Sequence, residues 1–245
     1  MKVKVVDALG FSYIFKTLSQ YVSEATLLFG SDGFKVKGMD PSKVVYIDIF
    51  VPKDYFEEYN LENEMKIGVS LKDVNEVIKN VSKEDILYLE LEKDKIMFTL
   101  DGEYLRTFSL PVLSPDEVET PSINLEFPFR ANILTSTFGD LLDEFDQIGG
   151  DSIKFKAQNG ELYLSVMGDM GESIVELSLE NGGLLESTGT DAESLYGLEH
   201  VSNTTKMRRP SDTLEIAFGS QLPLKLRYNL PKGGYADFYI APRSE

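Results

Sequence analysis

The feature that most restricts how this chain can fold is an internal repeat. The order helix, hairpins, helix, hairpins runs once before the segment near residue 115 and again after it. The turn in SDGFKVKG matches that in QNGELYLS, Gly33 to Gly160, and the strand EDILYLEL matches SDTLEIAF, Asp85 to Asp212. Both pairs stand 127 residues apart (160 − 33 and 212 − 85). At the same offset Leu71 and Val74 fall on Leu198 and Val201. A glycine turn recurs by chance in any β-rich chain, but two turns and a helix at one offset point to a duplicated unit. The 245 residues are enough for two domains, each with its own core.

Within each repeat, short alternating apolar and polar runs bounded by turn residues read as strands, and four segments have helical spacing. The first helical stripe carries Phe11, Ile14, Phe15, Leu18, Val22 and Ala25, and the second Leu71, Val74, Ile78 and Val81. The third carries Phe138, Leu141, Leu142, Phe145 and Ile148, and a weaker fourth has Leu195, Leu198 and Val201. Each helix offers one apolar face to a sheet. The fold class expected is α+β, with duplicated domains at 1–111 and 124–245, each of two helices packed on antiparallel β-sheets. Between them, 112–123 reads as an extended connector, because Pro111, Pro115 and Pro121 remove donors and discourage regular structure. Val112, Leu113 and Val118 give it apolar residues that a spacer does not need.

Composition excludes much chemistry. The chain has no Cys and one His, His200, so it has no disulfide frame, no thiol nucleophile and no histidine cluster for zinc. A formal charge of -17 repels a polyanion from most of the surface, although screening over about 8 Å leaves room for a local basic stripe. Met1 to Asp7 is charged and strand-like, and no run reaches the length of a membrane span, so a cytoplasmic protein with no membrane partner is expected. Asp140, Asp143, Glu144 and Asp146 share a helix face and open a carboxylate-metal hydrolase reading. No histidine, phosphate-cradling glycine loop or second acid motif converges on them, and a solvated acidic face is the simpler account. No catalytic residue, metal ligand or cofactor is assigned.

Three separated stretches carry a resemblance: GFKVKGMDPSKVVYIDI, MKIGVSLKDVNEVIK and the terminal LPLKLRYNLPKGGYADFYIAPR. With the repeat and the connector, they make the whole chain resemble the archaeal proliferating cell nuclear antigen (PCNA) family of DNA sliding clamps, in particular a crenarchaeal clamp subunit. The resemblance implies the DNA clamp fold, three subunits closing head to tail into a trimeric ring, helices lining the hole, and no enzyme activity. It implies a DNA polymerase processivity factor that encircles double-stranded DNA independently of sequence, in the cytoplasm on chromosomal DNA. The partners implied are like or sister clamp subunits, in a homotrimer or a heterotrimer, with DNA polymerase, flap endonuclease, DNA ligase and the clamp loader, replication factor C.

Carried over residue by residue, the resemblance makes Lys16, Lys72, Lys79, Lys206, Arg208 and Arg209 the DNA-facing groups. It assigns a partner peptide pocket to Met39, Val44, Tyr46, Val118, Pro121, Pro223, Ile240, Ala241 and Pro242. Subunit contact is assigned to edge strands spanning Tyr104 to Leu110 and Ser173 to Leu179, through Tyr104, Leu105, Phe108, Leu110, Ile174, Val175, Leu177 and Leu179. The chain departs from the family's pattern in its acidic third helix, in Glu199 at a usually basic site, and in Tyr46 where a smaller aliphatic is common. A checkpoint-type clamp and a β-rich oligomeric scaffold without a DNA role remain alternatives.

Overall fold

The first repeat begins with β1 (Lys2–Val5), and α1 (Ala8–Leu18) starts where the Asp7 carboxylate accepts the Gly10 backbone N–H at 2.9 Å. The structure is a computed structural model that describes residues 1–116, 118, 121 and 125–244. Of the connector expected at 112–123, Glu117, Glu119, Thr120, Ser122 and Ile123 lie outside the described residues. The chain divides into two compact units, the first made of residues 1–41, 47–119 and 230–235 and the second of 42–46, 120–229 and 236–245.

After α1 come β2 (Glu24–Phe29), β3 (Gly33–Met39), β4 (Val45–Pro52), β5 (Glu58–Asn60) and β6 (Met65–Ser70). Then follow α2 (Leu71–Ile78), β7 (Ile86–Glu92), β8 (Lys95–Asp101) and β9 (Leu105–Pro111). The second repeat runs β10 (Phe129–Leu134), α3 (Thr135–Ile148), β11 (Ser152–Gln158), β12 (Glu161–Gly168), β13 (Gly171–Leu177) and β14 (Glu186–Gly189). It ends with β15 (Ala192–Gly197), α4 (Leu198–Ser202), β16 (Thr213–Phe218), β17 (Leu224–Asn229) and β18 (Tyr235–Ile240).

The duplication is complete in topology. In the first unit the strands lie in the orders β5, β1, β7, β8, β9 and β4, β3, β2, β6; in the second they lie β14, β10, β16, β17, β18 and β13, β12, β11, β15. Each unit buries its helices' apolar stripes against its own strands. In the first, the Phe11 ring meets Phe15, Phe34 and Phe56 edge-on at centroid distances of 5.6, 5.5 and 5.8 Å, and each such buried ring is worth about 1.5–3 kcal/mol relative to exposure. In the second, Phe155 packs edge-on against Tyr196 and Phe218. The β11–β12 hairpin turns on Asn159 and Gly160, both at positive φ (53° and 82°), the two-residue geometry that matches strand twist.

Three helical expectations are corrected, the first being that Val81 lies beyond α2, which ends at Ile78. Val22 and Ala25 are not on α1, which ends at Leu18; Ala25 belongs to β2. The 3- and 4-residue spacing of 18, 22 and 25 is coincidental, and the alternation of EATLLF decides the structure. Leu195 is in β15, and the fourth helix is only five residues long before it tightens into 3-10 turns over Asn203–Arg208. There the Thr204 and Thr205 hydroxyls donate to the Val201 and Ser202 carbonyls at 2.7 and 2.6 Å, competing with the regular helical bonds.

Candidate DNA-facing, edge and partner sites

The six basic residues lie on the helices and on the turn after α4. In the first unit, Lys16 sits in the last turn of α1, where a cation suits the helix dipole, with Nζ 4.6 Å from the Tyr13 ring centroid. Lys72 is exposed on α2, and Lys79 caps that helix with Nζ 2.5 Å from Glu76 Oε2. The hydrogen bond from Lys79 holds the Glu76 carboxyl below the ordinary carboxylate range. In the second unit, Lys206 and Arg208 are in the 3-10 turn and Arg209 follows it. The Arg208 guanidinium reaches back to α3, with Nη1 2.9 Å from Asp143 Oδ2 and 3.6 Å from Asp140 Oδ1. Gly139 makes this approach possible, because a Cβ there would stand 2.6 Å from Arg208 Nη1. The acidic third helix, unexplained by the family pattern, thus holds one of the expected DNA-facing cations. Asp146 accepts from the Ser202 hydroxyl at 2.9 Å. Among the described residues no group of three or more His, Cys, Asp or Glu is placed to hold a metal ion.

β9 and β13 are each the last strand of their sheet. Tyr104, Leu105 and Ile174 are 63%, 67% and 61% exposed, and Phe108 and Leu179 are also exposed; Leu110 and Val175 are half-buried. Tyr104 precedes β9, and Leu179 lies beyond β13, which stops at Leu177 because Asn181 Oδ1 takes the Ser178 N–H at 3.0 Å. Leu177 requires a correction: it is 4% exposed and stands opposite Leu162, so it belongs to the core of the second unit and offers no free surface. Arg106, on the inward side of β9, bonds the buried Asp85, which also accepts the Ser82 N–H at 2.8 Å. Burial opposes ionisation of Asp85, but these bonds outweigh it and hold the carboxyl below its usual value.

The expected pocket residues divide between the units. Met39 and Val118 belong to the first, both half-buried. Val44, Tyr46, Pro121, Pro223, Ile240, Ala241 and Pro242 belong to the second. There the Ala241 N–H donates to the Val44 carbonyl at 2.8 Å, and the Tyr46 and Tyr239 rings lie 6.0 Å apart. Ile240 is corrected to a core residue, fully buried, and Tyr46 is nearly so. Val44, Pro121, Pro223, Ala241 and Pro242 stay partly accessible. Beside this tail, a groove of about 580 Å³ is bounded by Lys154, Glu193, Leu195, Ser220, Pro242 and Arg243.

Sequence reasoning missed what holds the connector. The Leu113 N–H donates to the Gly68 carbonyl at 2.8 Å, and Asp116 and Thr26 exchange two bonds at 2.8 and 2.9 Å. A Cβ on Gly68 would stand 2.7 Å from the Leu113 carbonyl oxygen, so glycine alone lets the connector lie against β6. A glycine inside the strand MKIGVS was the available signal.

A fold of two equal units, each with helices on antiparallel sheets and an open edge strand, is that of a sliding clamp, and comparison with known proteins agrees. The family described as proliferating cell nuclear antigen, N-terminal domain, matches residues 1–108. The chain is 99% identical over its full length and that of the relative to DNA polymerase sliding clamp 2 of Sulfolobus acidocaldarius, and 63% identical, again over 100% of both, to DNA polymerase sliding clamp 3 of Sulfurisphaera tokodaii. Among solved structures it resembles the PCNA2-PCNA3 complex from Sulfolobus tokodaii (TM-score 0.97, 63% identity, all of both chains). It also resembles PCNA from Thermococcus kodakaraensis (TM-score 0.89, 28% identity, 99% of both chains). The chain belongs to the DNA polymerase sliding clamp family, the PCNA family. Its function is that of the family, a processivity clamp and not an enzyme.

Proposed function

We propose that this chain is one subunit of a closed three-membered ring that encircles duplex DNA and tethers replication and repair enzymes to it. The observation that carries the reading is the pair of open edges. In the repeat, β9 and β13 correspond to β18 and β4, whose ends run side by side within the second unit at Ala241 and Val44. Among the described residues β9 and β13 have no such neighbour on their outer side, and both present apolar side chains. A heterologous contact between β9 of one subunit and β13 of the next removes both edges, and it closes when three rotations complete a turn. The solved PCNA2-PCNA3 complex supports a ring with unlike sister subunits.

In that ring Lys16, Lys72, Lys79, Lys206, Arg208 and Arg209 face the DNA backbone, where light phosphate contacts carry no sequence information and permit sliding. Partner proteins insert aromatic anchors against the partly accessible apolar residues of the second unit, Val44, Pro121, Pro223, Ala241 and Pro242. The domains are 1–111 and 124–245, joined by the connector 112–123. The clamp works in the cytoplasm on chromosomal DNA, with DNA polymerase, flap endonuclease, ligase and the loader as partners. The test is synthesis on a long primed circle. This chain with its sister subunits and loader should lengthen the products of a DNA polymerase, and unchanged product length contradicts the reading.

A further inference from the structure

Asp140 and Asp143 stand three residues apart on α3, so both carboxylates reach the same side of the helix. The Arg208 guanidinium meets both, with Nη1 3.6 Å from Asp140 Oδ1 and 2.9 Å from Asp143 Oδ2. Under it lies the buried Gly139. A Cβ there would stand 2.6 Å from Arg208 Nη1, 2.8 Å from Cδ and 3.3 Å from Cζ, so the arginine occupies the space a side chain would need. Glycine inside a helix is less favourable than alanine, and the close approach of Arg208 is what this glycine permits in exchange.

Among the described residues Arg208 is the one member of the six expected DNA-facing groups that is paired with two carboxylates. Lys79 has a single acidic partner, Glu76, and Lys206 and Arg209, beside Arg208 in the chain, have no ion-pair partner among the described residues. One guanidinium with two carboxylates carries a net charge of -1. A phosphate approaching Arg208 therefore meets repulsion as well as attraction, and the guanidinium cannot turn its Nη1 to a phosphate while it stays on Asp143.

Both ion pairs are exposed, at 39% for Arg208, 77% for Asp140 and 55% for Asp143, so they are weak enough to exchange. Resting on the reading of Arg208 as a DNA-facing group, we propose that Gly139, Asp140 and Asp143 are positioning residues that hold this arginine back from DNA. Contact with the duplex is then an exchange, in which the guanidinium leaves the two carboxylates for a phosphate. The exchange offsets part of what the phosphate contact contributes, and it keeps the grip of this turn on the backbone light.

The test is fluorescence anisotropy of a short labelled duplex at low salt, titrated with the full chain assembled with its sister subunits. Gly139→Ala changes no charge, and its Cβ displaces only the flexible end of Arg208. It should tighten duplex binding about two- to fivefold, the worth of an exposed ion pair. Asp140→Asn/Asp143→Asn should tighten it at least as much. Arg208→Ala in the same chain should abolish the first gain and most of the second. Glu144→Gln/Glu199→Gln, which removes two carboxylates of α3 and α4 that are not paired with Arg208, should gain less than Asp140→Asn/Asp143→Asn. No tightening by Gly139→Ala, gains that persist in full without Arg208, or an equal gain in Glu144→Gln/Glu199→Gln overturns the inference while leaving the ring reading intact. If the parent assembly shows no salt-dependent binding of the duplex, the DNA-facing reading has failed and the inference falls with it.

Discussion

Gly68→Ala is the sharpest single probe of how the connector is held. The new Cβ would lie 2.7 Å from the Leu113 carbonyl oxygen, 2.8 Å from that of Ser114 and 3.0 Å from the Leu113 carbonyl carbon. All three are backbone atoms, so no rotamer change relieves the contact. Either the strand pair strains, at about 1–3 kcal/mol as for overpacking, or the connector lifts and gives up the 2.8 Å Leu113 to Gly68 bond, a net loss of about 1 kcal/mol. Removing glycine from a strand interior returns about 0.5–1 kcal/mol. The cheaper outcome is lift-off, so stability should fall by less than about 1 kcal/mol, a melting shift of no more than about 4 °C for a chain of this size. Amide hydrogen exchange should show loss of protection at Leu113 with Asp116 and β2 unchanged, and affinity for an aromatic-anchored partner peptide should drop. Unchanged protection at Leu113 would refute the claim that this glycine seats the connector.

Other outcomes follow from single residues. Leu177→Asp should cost roughly 3–5 kcal/mol and unfold the second unit in a melt, because it puts a charge into a packed site, whereas Ile174→Asp should leave the melt unchanged and weaken subunit association on sedimentation. Arg208→Ala should change stability by under about 1 kcal/mol, since its ion pairs to α3 are solvent-exposed, and lower the salt dependence of DNA contact by about one unit in slope. Asp85 has a folded-state pKa below its unfolded one, so its contribution to stability is present above about pH 4 and is lost as pH falls through the folded value. Acid titration of Asp85→Asn by circular dichroism should therefore show a less stable protein at neutral pH with a shallower loss toward acid.

The repeat made the two-unit α+β fold legible, because a constant spacing between Gly33 and Gly160 and between Asp85 and Asp212 survives any uncertainty about single strands. Alternation also marked β9 and β13, but it could not say which side of β13 was covered: Val175, Leu177 and Leu179 share a parity, yet the Asn181 turn ends the strand and leaves Leu177 inside and Leu179 outside. The short fourth helix was illegible for a related reason, since its end is set by threonine hydroxyls competing for backbone carbonyls rather than by hydrophobic spacing. The grip of Arg208 on Asp140 and Asp143 depends on a contact 65 residues apart in sequence, which no local pattern encodes.

Retention on DNA of defined topology tests the central claim most directly. After loading onto a closed, nicked circle with its sister subunits, this clamp should remain bound through gel filtration at salt that abolishes simple electrostatic capture, and it should leave once a restriction enzyme linearises the circle. Equal retention on closed and linear DNA, or release from the closed circle as salt rises, would contradict a ring around the duplex.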